Sequence, residues 1–323
     1  MVDNGSCDGS VEFLRKSFPK ASIICNDVNN YCKANNLGIQ HAKGEYVAII
    51  NNDTQVNKNW LVELLRAVDT DKTIGGVGSK ILFPDGRLQS TGHSKLPNFY
   101  WLDRGAAEKD CGQYDQVEEV GSFCGAAALY RKRALEDVGN FDEDFHIYLE
   151  DVEISIRLKN KGWKLLYIPS SIVYHEFHGS SNETMAHFYT ERNRLLLLAR
   201  HYPLQLGEAL FGRGYFTIQK NRDKQASLYN LLPDIILKLM KHHDPKIVQE
   251  ALNTLSEVLK KVSAYESSVS AGKIHNRSNP LLENTLSSYQ YYAFLTEAHF
   301  KSKTFFYLRK FAKNSLKKIF KNK

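Results

Sequence analysis

Short apolar runs alternate with segments of helical periodicity over the first 180 residues of the chain. The runs ASIICN (21–26), EYVAII (45–50) and GGVGSKILF (75–83) predict strands, and LVELLRAV (61–68) has the apolar spacing of a helix. Strands that alternate with helices indicate an α/β fold, in which a mostly parallel sheet is flanked by helices. In such sheets, ligands bind beyond the carboxyl ends of the strands.

The alternation continues as far as residue 180 and then stops. Residues 123–139 predict a strand that leads into a short helix, and residues 150–162 predict a helix that ends at Gly162. The following WKLLYIP predicts a strand that Pro169 stops. Because the pattern after residue 185 is helical only, we expect an α/β domain over residues 1–200 and a C-terminal helical region over 201–323.

Charge separates the same two regions. The net charge of the 323-residue chain is +7, but residues 1–200 hold 23 Lys and Arg against 27 Asp and Glu, and residues 201–323 hold 20 against 9. Residues 301–323 form a basic, amphipathic pattern without an acidic residue. This end fits a helix on an anionic membrane surface, or a helix packed on the protein with a solvated basic face. It lacks a base-stacking platform, so we expect no nucleic-acid partner.

Cysteine usage and hydropathy bear on the compartment. The five cysteines include no CxxC pair, which predicts free thiols in a reducing environment. We find no apolar run of about 18 residues and no signal-peptide pattern. We therefore expect a cytoplasmic protein, in peripheral contact with the inner face of the membrane if the basic end binds lipid.

Polar residues follow the strand at 45–50 without a transition: Asn51, Asn52 and Asp53. Carboxylate and amide oxygens at the end of a buried strand suit Mg²⁺ or Mn²⁺, which would hold a diphosphate. The same residues also favour a turn that caps the helix beginning near Asn59. This segment alone leaves both interpretations open.

Two later segments carry further reactive groups. Residues 141–154 contain six carboxylates, and Glu150 and Asp151 among them could be a helix-start signal or could supply a general base. Residues 172–181 place His175 and His178 at a strand end, where they could contact a metal or phosphate or form structural hydrogen bonds.

Taken in order, these segments carry a family resemblance. At plausible intervals, the chain resembles the inverting family-2 glycosyltransferases of the GT-A fold. The matching segments are VDNGSCDGS, NNYCKANNLGIQHAKGEYVAIINNDT, ILFPDGRLQSTG, VGSFCGAAALYRKRALEDVGNFDEDF, YLEDVEISIRLKNKGWKLLYIP and VYHEFHGSS. The similarity covers residues 1–200 and is strongest to rhamnosyltransferase-like members, which build bacterial surface polysaccharides. No single motif is specific, but the ordered set is.

The resemblance implies a role for each matching residue. In the donor site, Asp3 would contact the nucleotide base and Asn36 would line the site. Asn51 would be the amide in the first acidic position of the DxD metal motif, and Gly125 would lie close to the donor sugar and the acceptor. The metal, Mg²⁺ or Mn²⁺, would be bound by Asp53 and by His175, with His178 as the alternative. Asp151 would be the catalytic base, and Glu150 would orient it.

Two departures from the family pattern set the alternatives. Asn30 replaces a common Gly, and Asn tolerates a positive φ there. Val2 matches the end of the family's second strand, so we expect about one βα unit of the donor site to be missing and an apolar sheet edge to be exposed.

The resemblance therefore allows two functions. The first is an active enzyme that uses dTDP-rhamnose or a UDP-sugar and a glycan or lipid-linked glycan acceptor. The second is a truncated, inactive module that acts as a binding partner in polysaccharide assembly.

Overall fold

The computed structural model describes residues 1–96, 99–176, 183–206 and 232–253. Contacts within the chain divide it into two compact units, one of residues 1–94 and 103–193 and one of residues 95–102 and 194–323. The domain boundary at residue 200 stays a prediction. His178 and the basic end at 301–323 lie outside the described residues, so the predictions made for them stay predictions.

Helices and strands alternate through the first unit, as the sequence predicts. The helices are α1 (Ser10–Ser17), α2 (Tyr31–His41), α3 (Trp60–Val68), α4 (Lys132–Val138), α5 (Glu150–Asn160), α6 (Glu183–His201) and, in the second unit, α7 (Leu232–His242). The strands are β1 (Val2–Asp3), β2 (Ile24–Cys25), β3 (Tyr46–Ile50), β4 (Thr54–Val56), β5 (Ile74–Leu82), β6 (Leu88–Ser90), β7 (His93–Lys95), β8 (Trp101–Asp103), β9 (Glu118–Glu119), β10 (Ala127–Arg131) and β11 (Lys164–His175).

Most strands join one central sheet of order β3-β10-β5-β11-β4, to which β6 and β9 add at β5 and β11. All nine residues of β5 are buried, as its apolar sequence and central position require. The remaining strands form the pairs β1-β2 and β7-β8. On the side of β3 away from β10, no strand pairs with it among the described residues, and Ala48 and Ile50 are exposed there.

Two details of the sheet differ from prediction. The α/β class is confirmed, but the central sheet is mixed rather than mostly parallel: β5 and β11 pair in parallel, while β10 runs antiparallel to both β3 and β5. The prediction that Pro169 stops a strand is wrong. β11 continues to His175 because a register shift between Ile168 and Ile172 lets the strand bulge around the proline, which has no N–H to donate.

Helix α3 covers one face of the sheet. Trp60, Leu64 and Val68 recur every four residues along one side of the helix and are buried against β5, β10 and β11. The Trp60 indole N–H donates to Ser79 Oγ at 2.8 Å, so the buried donor is satisfied. This packing fixes β5 and β11, whose ends carry the site described below.

The structure also bears on Asn30, on the cysteines and on membrane-spanning helices. Asn30 has a φ of −141° and does not adopt a positive φ; its side chain caps α2 by accepting the Lys33 N–H at 3.0 Å. The five cysteines are free thiols, as expected. Within the described part of the chain, no helix has the length and apolar content needed to cross a membrane.

Candidate functional site

Asp53 and His175 come together at the junction of β4 and β11. His175 pairs with Thr54 in the ladder, and the Glu176 N–H donates to the Asp53 carbonyl at 3.0 Å. This register brings His175 Nε2 to 3.1 Å from Asp53 Oδ1, although 121 residues of chain lie between them. His175 is buried and the Asp53 side chain is about one-fifth exposed, so solvent reaches the carboxylate.

Gln89 in β6 completes this group, which we call the strand-end site (Asp53, His175 and Gln89). The buried Gln89 amide lies against His175 Nδ1, with Nε2 at 3.0 Å and Oε1 at 3.1 Å. If Nδ1–H donates to Oε1, then Nε2 turns a lone pair toward Asp53. Gln89 therefore controls which imidazole nitrogen is available to a ligand.

The donor chemistry of the strand-end site fits a divalent cation. Two neighbouring ligands of an octahedral cation, each about 2.1 Å from it, lie about 3 Å apart, close to the 3.1 Å between Asp53 Oδ1 and His175 Nε2. Mg²⁺ and Mn²⁺ accept few protein ligands when phosphate oxygens and water fill the remaining positions. Within the described residues no group of three or more His, Cys, Asp and Glu forms a metal cluster, so phosphate oxygens would have to complete the coordination.

Asn51 links the strand-end site to β10. Its N–H donates to the Ala126 carbonyl at 2.8 Å, which continues the β3–β10 ladder beyond Ile50. Its side-chain oxygen accepts the Tyr31 hydroxyl at 2.9 Å. The amide therefore stands at the strand end as predicted, but in this structure its oxygen is bound to a neighbouring side chain.

Asp151 lies in the first turn of α5, against Gly125. We call Asp151, Gly125 and Glu150 the helix-start site. The Gly125 N–H donates to Asp151 Oδ2 at 2.9 Å, and the Val152 N–H donates to Oδ1 at 2.8 Å. A Cβ on Gly125 would lie only 3.3 Å from Asp151 Cβ. A glycine here lets the backbone approach the carboxylate closely. Since Gly125 directly precedes Ala126, the two sites lie at the same end of β3 and β10.

The loop before α5 is strained. His146, Tyr148 and Leu149 all have φ between 61° and 71°, a conformation that non-glycine residues rarely adopt. Such strain persists only where surrounding contacts enforce it, and it concentrates at functional sites.

Asn193 of α6 supplies those contacts. Its fully buried side-chain N–H₂ group donates to the carbonyls of Phe145, Ile147 and Tyr148 at 2.6–2.8 Å. His146 stacks on Tyr189 of the same helix with ring centroids 4.9 Å apart. We did not identify Asn193 from the sequence, because a single Asn among charged residues of a helix carries no signal of the loop that it binds.

Glu150 is buried beside Asp151. Burial, and then the adjacent Asp151 charge, raise the pKa of Glu150 well above its usual range. Its Oε2 has no hydrogen-bond partner among the described residues. Burial and the neighbouring charge therefore both favour the protonated, neutral form of the Glu150 side chain.

The other acidic residues of 141–154 have structural partners. Glu153 is fully buried and pairs with Arg157, whose guanidinium also donates to carbonyls at the end of α4. Asp142 caps the turn Glu143–Phe145 by accepting the Asp144 N–H at 3.1 Å. Of the two interpretations of this cluster, the structural one therefore applies to Glu153 and Asp142.

The two predicted nucleotide contacts have local partners. Asp3 accepts the Gly5 and Ser6 N–H groups in a turn after β1. Asn36 binds the backbone of Phe141 through both its amide nitrogen and its oxygen and also donates to Glu143, so it fastens α2 to the loop that leads to α5. A role for Asp3 or Asn36 in nucleotide binding stays a prediction.

The chain is similar to several known proteins in sequence and in fold. Residues 1–139 match the family model described as Glycosyl transferase family 2. Over 156 residues the chain is 31% identical to the O-antigen biosynthesis protein RfbC of Myxococcus xanthus, a match that covers 46% of this chain and 12% of that protein. Over 232 residues it is 26% identical to the N-acetylglucosaminyl-diphospho-decaprenol L-rhamnosyltransferase of Mycobacterium tuberculosis, covering 62% of this chain and 74% of the relative.

Further matches extend the comparison to a synthase and to a solved structure. The poly-beta-1,6-N-acetyl-D-glucosamine synthase of Staphylococcus aureus is 25% identical over 245 residues, which are 74% of this chain and 54% of the synthase. The crystal structure of GalNAc-T7 with UDP, GalNAc and Mn²⁺ superimposes with a TM-score of 0.52 at 16% identity, covering 72% of this chain and 48% of that one. This likeness concerns the fold alone. Residues 1–139 are thus similar to Glycosyl transferase family 2, and the fold is that of the GT-A glycosyltransferases, as the resemblance implied.

Proposed function

We propose that the chain is an inverting glycosyltransferase of bacterial surface polysaccharide synthesis, which moves a sugar from a nucleotide diphosphate to a hydroxyl of a glycan. The observation that carries the proposal is the pairing of Asp53 with His175 at one strand end, beside an Asp151 held by the Gly125 N–H. The first group suits a diphosphate and its cation, and the second suits a base.

Asp151 is the residue that takes the proton. Its carboxylate accepts the proton of an acceptor hydroxyl, whose oxygen then uses the O–H electron pair to bond to the anomeric carbon. The bond from that carbon to the diphosphate breaks on the opposite face, and its electron pair leaves with the diphosphate, so the configuration inverts. The N–H groups of Gly125 and Val152 hold the carboxylate in one orientation during this step.

Asp53 and His175 bind the leaving-group side of the donor. A divalent cation there would neutralise the charge that develops on the departing diphosphate. Gln89 orients His175, and Asp53 faces solvent enough to exchange water for phosphate oxygens. We propose Mn²⁺ or Mg²⁺ as this cation and Asn51 as a neutral contact to the donor.

The donor and acceptor follow from the relatives. The rhamnosyltransferase name of one relative supports dTDP-rhamnose as donor and a lipid-linked glycan as acceptor, and the synthase name of another supports a UDP-sugar. Since the chain covers 12% of the RfbC protein and 54% of the synthase, these are proposals for this chain and not inherited activities.

One observation favours the inactive module as a second function. Asn51 supplies a neutral amide where the family motif has an acid, and its oxygen already accepts one hydrogen bond, from Tyr31. A site with one carboxylate fewer binds a divalent cation more weakly.

An assay on the purified full chain separates the two functions. The chain is incubated with dTDP-rhamnose or a UDP-sugar and Mn²⁺, and nucleotide release with and without a glycan acceptor is measured. Asp151→Asn and Asp53→Asn should each abolish release, while the control Asp85→Asn, in an exposed turn, should leave it unchanged. Nucleotide binding without release in every combination would favour the inactive module.

A further inference from the structure

His93 stands at the base of the β7–β8 hairpin, beside the helix-start site. It is the first residue of β7, and Asp103 is the last residue of β8. The His93 N–H donates to the Ser122 carbonyl at 2.9 Å, which fixes the backbone. Only 9% of the side chain is exposed, so the imidazole has little water around it.

Both imidazole nitrogens of His93 face oxygen atoms. Nδ1 lies 2.8 Å from Ser122 Oγ, and that hydroxyl donates in turn to the Asp151 carbonyl at 3.4 Å. Nε2 lies 3.4 Å from Asp103 Oδ1 and 3.9 Å from Asp151 Oδ2. A ring with a hydroxyl on one side and two carboxylates on the other satisfies most partners when both nitrogens carry protons.

The surrounding charges favour the cation. Burial by itself lowers the pKa of His93, but the Asp151 charge, followed by the close polar contact and charge of Asp103, outweighs burial and raises the pKa to about 9. Glu150 contributes in the same direction. Burial and the charges of Asp103 and Asp151 raise the pKa of the Cys124 thiol, so this neighbour stays neutral.

We propose that His93 is a positioning residue for sugar transfer: its imidazolium bridges Asp103 and Asp151 and keeps Asp151, rather than the adjacent Glu150, as the ionised carboxylate that takes the acceptor proton. Glu150 is buried and forms no ion pair among the described residues, whereas Asp151 Oδ2 lies 3.9 Å from His93 Nε2. His93 keeps its proton throughout the step. The inference deepens the proposed function and rests on it for its catalytic meaning.

The first test measures the His93 charge without any assay of transfer. The imidazoles of the full chain, labelled at histidine, are titrated by NMR, and His93→Gln assigns its resonance. We expect His93 to remain protonated at pH 8, above the usual range of a histidine side chain. In Asp103→Asn, the midpoint for His93 should fall by about one pH unit or more. Titration of wild-type His93 at or below pH 6.5 would overturn the proposal, even if the protein proved to be an active transferase.

A second measurement covers the case in which His93→Gln folds poorly. The folded protein binds the His93 proton more tightly than the unfolded chain does between the ordinary pKa of 6.5 and about 9. The stability that this group contributes is thus fully present below pH 6.5 and is lost as the pH rises to 9. The melting temperature of the wild type should fall more steeply across this window than that of His93→Gln. Parallel curves would contradict a buried imidazolium.

The third test uses transfer itself. In His93→Gln, Asp151 loses its neighbouring cation, so the acid limb of the kcat profile should move to higher pH while the KM for the donor changes less than twofold. Activity should fall more at pH 6 than at pH 8. The control His41→Gln should reproduce the wild-type profile, because His41 is exposed and bonds only within α2. A His93→Gln profile that superimposes on the wild type would reject the positioning role and leave the proposed function intact.

Discussion

The strand-end site and the helix-start site are built by different means. The β4–β11 and β5–β6 ladders set Asp53, His175 and Gln89 in place, and each of these residues lies in or beside a regular strand. Asp151 instead follows a loop with positive φ at His146, Tyr148 and Leu149, which α6 holds from outside.

Because of this difference, the two sites should respond differently to substitutions. The strand-end site should tolerate changes that leave the sheet intact, since its geometry comes from hydrogen bonds of the main chain. The helix-start site stores backbone strain and depends on a few side-chain contacts. A substitution far from Asp151 can therefore impair the base without reducing the affinity for a nucleotide and its cation.

The largest effect should come from Asp151→Asn. The amide cannot accept the acceptor proton, so kcat should fall by about 10²–10⁴-fold, while binding of UDP or dTDP with Mn²⁺ stays within twofold of the wild type. Transfer rates and nucleotide-induced thermal shifts measure the two parts. Parallel loss of both would mean that the sites are not separable.

Asn193→Asp should have the next largest effect. The carboxylate has the same shape but no N–H group, and it would face three carbonyls, so the strained loop should relax and move Asp151. We expect a loss of about 10²-fold in kcat with little change in nucleotide affinity. The control Asn253→Ala removes an exposed amide whose one hydrogen bond among the described residues is to Gln249. Unchanged kcat in Asn193→Asp would show that the loop holds its strain without α6.

Gln89→Leu should change the strand-end site, and therefore the affinity for the cation, while the helix-start site stays intact. Without the amide, neither nitrogen of His175 is selected, so the Mn²⁺ concentration for half-maximal activity should rise about 10–100-fold. The rate at saturating Mn²⁺ should stay near the wild-type value, because Asp151 is untouched. Titration of activity with Mn²⁺ measures both quantities, and a fall in the saturating rate alone would contradict this assignment.

Gly125→Ala should have the smallest effect. The new methyl group would press on Asp151 Cβ at 3.3 Å, which a shift of a few tenths of an ångström relieves. We expect about a tenfold loss in kcat from the displaced carboxylate, with unchanged Mn²⁺ dependence. Gly121→Ala is the matched control, since an added Cβ there has no neighbour within 4 Å. Equal rates for the two variants would remove Gly125 from the site.

The sequence indicated the strand-end positions of Asp53 and His175 better than it indicated the contacts that hold Asp151, for a physical reason. Asp53 and His175 both follow apolar strands, and strand ends that carry polar groups are visible in a hydropathy pattern. The direction of β10 and the bulge around Pro169 were missed, because pairing direction depends on contacts distant in the sequence.

The supports of Asp151 had no local signal. Positive φ at His146, Tyr148 and Leu149 occurs without the glycines that usually mark it, and Asn193 acts over more than 40 residues of chain. His93 looked like any single histidine until Asp103 and Asp151 were placed beside it. The family resemblance indicated Asp151 as the base, but it gave no indication of the residues that position Asp151.

The central claim is that both sites serve one bound nucleotide-sugar, and paramagnetic NMR tests it most directly. Mn²⁺ with UDP or dTDP is added to the full chain, and line broadening is measured for His175, for the Gly125 N–H and, as a distant reference, for the Gly139 N–H. We expect the His175 signals to broaden most, the Gly125 N–H less and the Gly139 N–H least. In Asp53→Asn this Mn²⁺-induced broadening should disappear. Broadening that spares His175 and Gly125, or that persists without Asp53, would contradict the account.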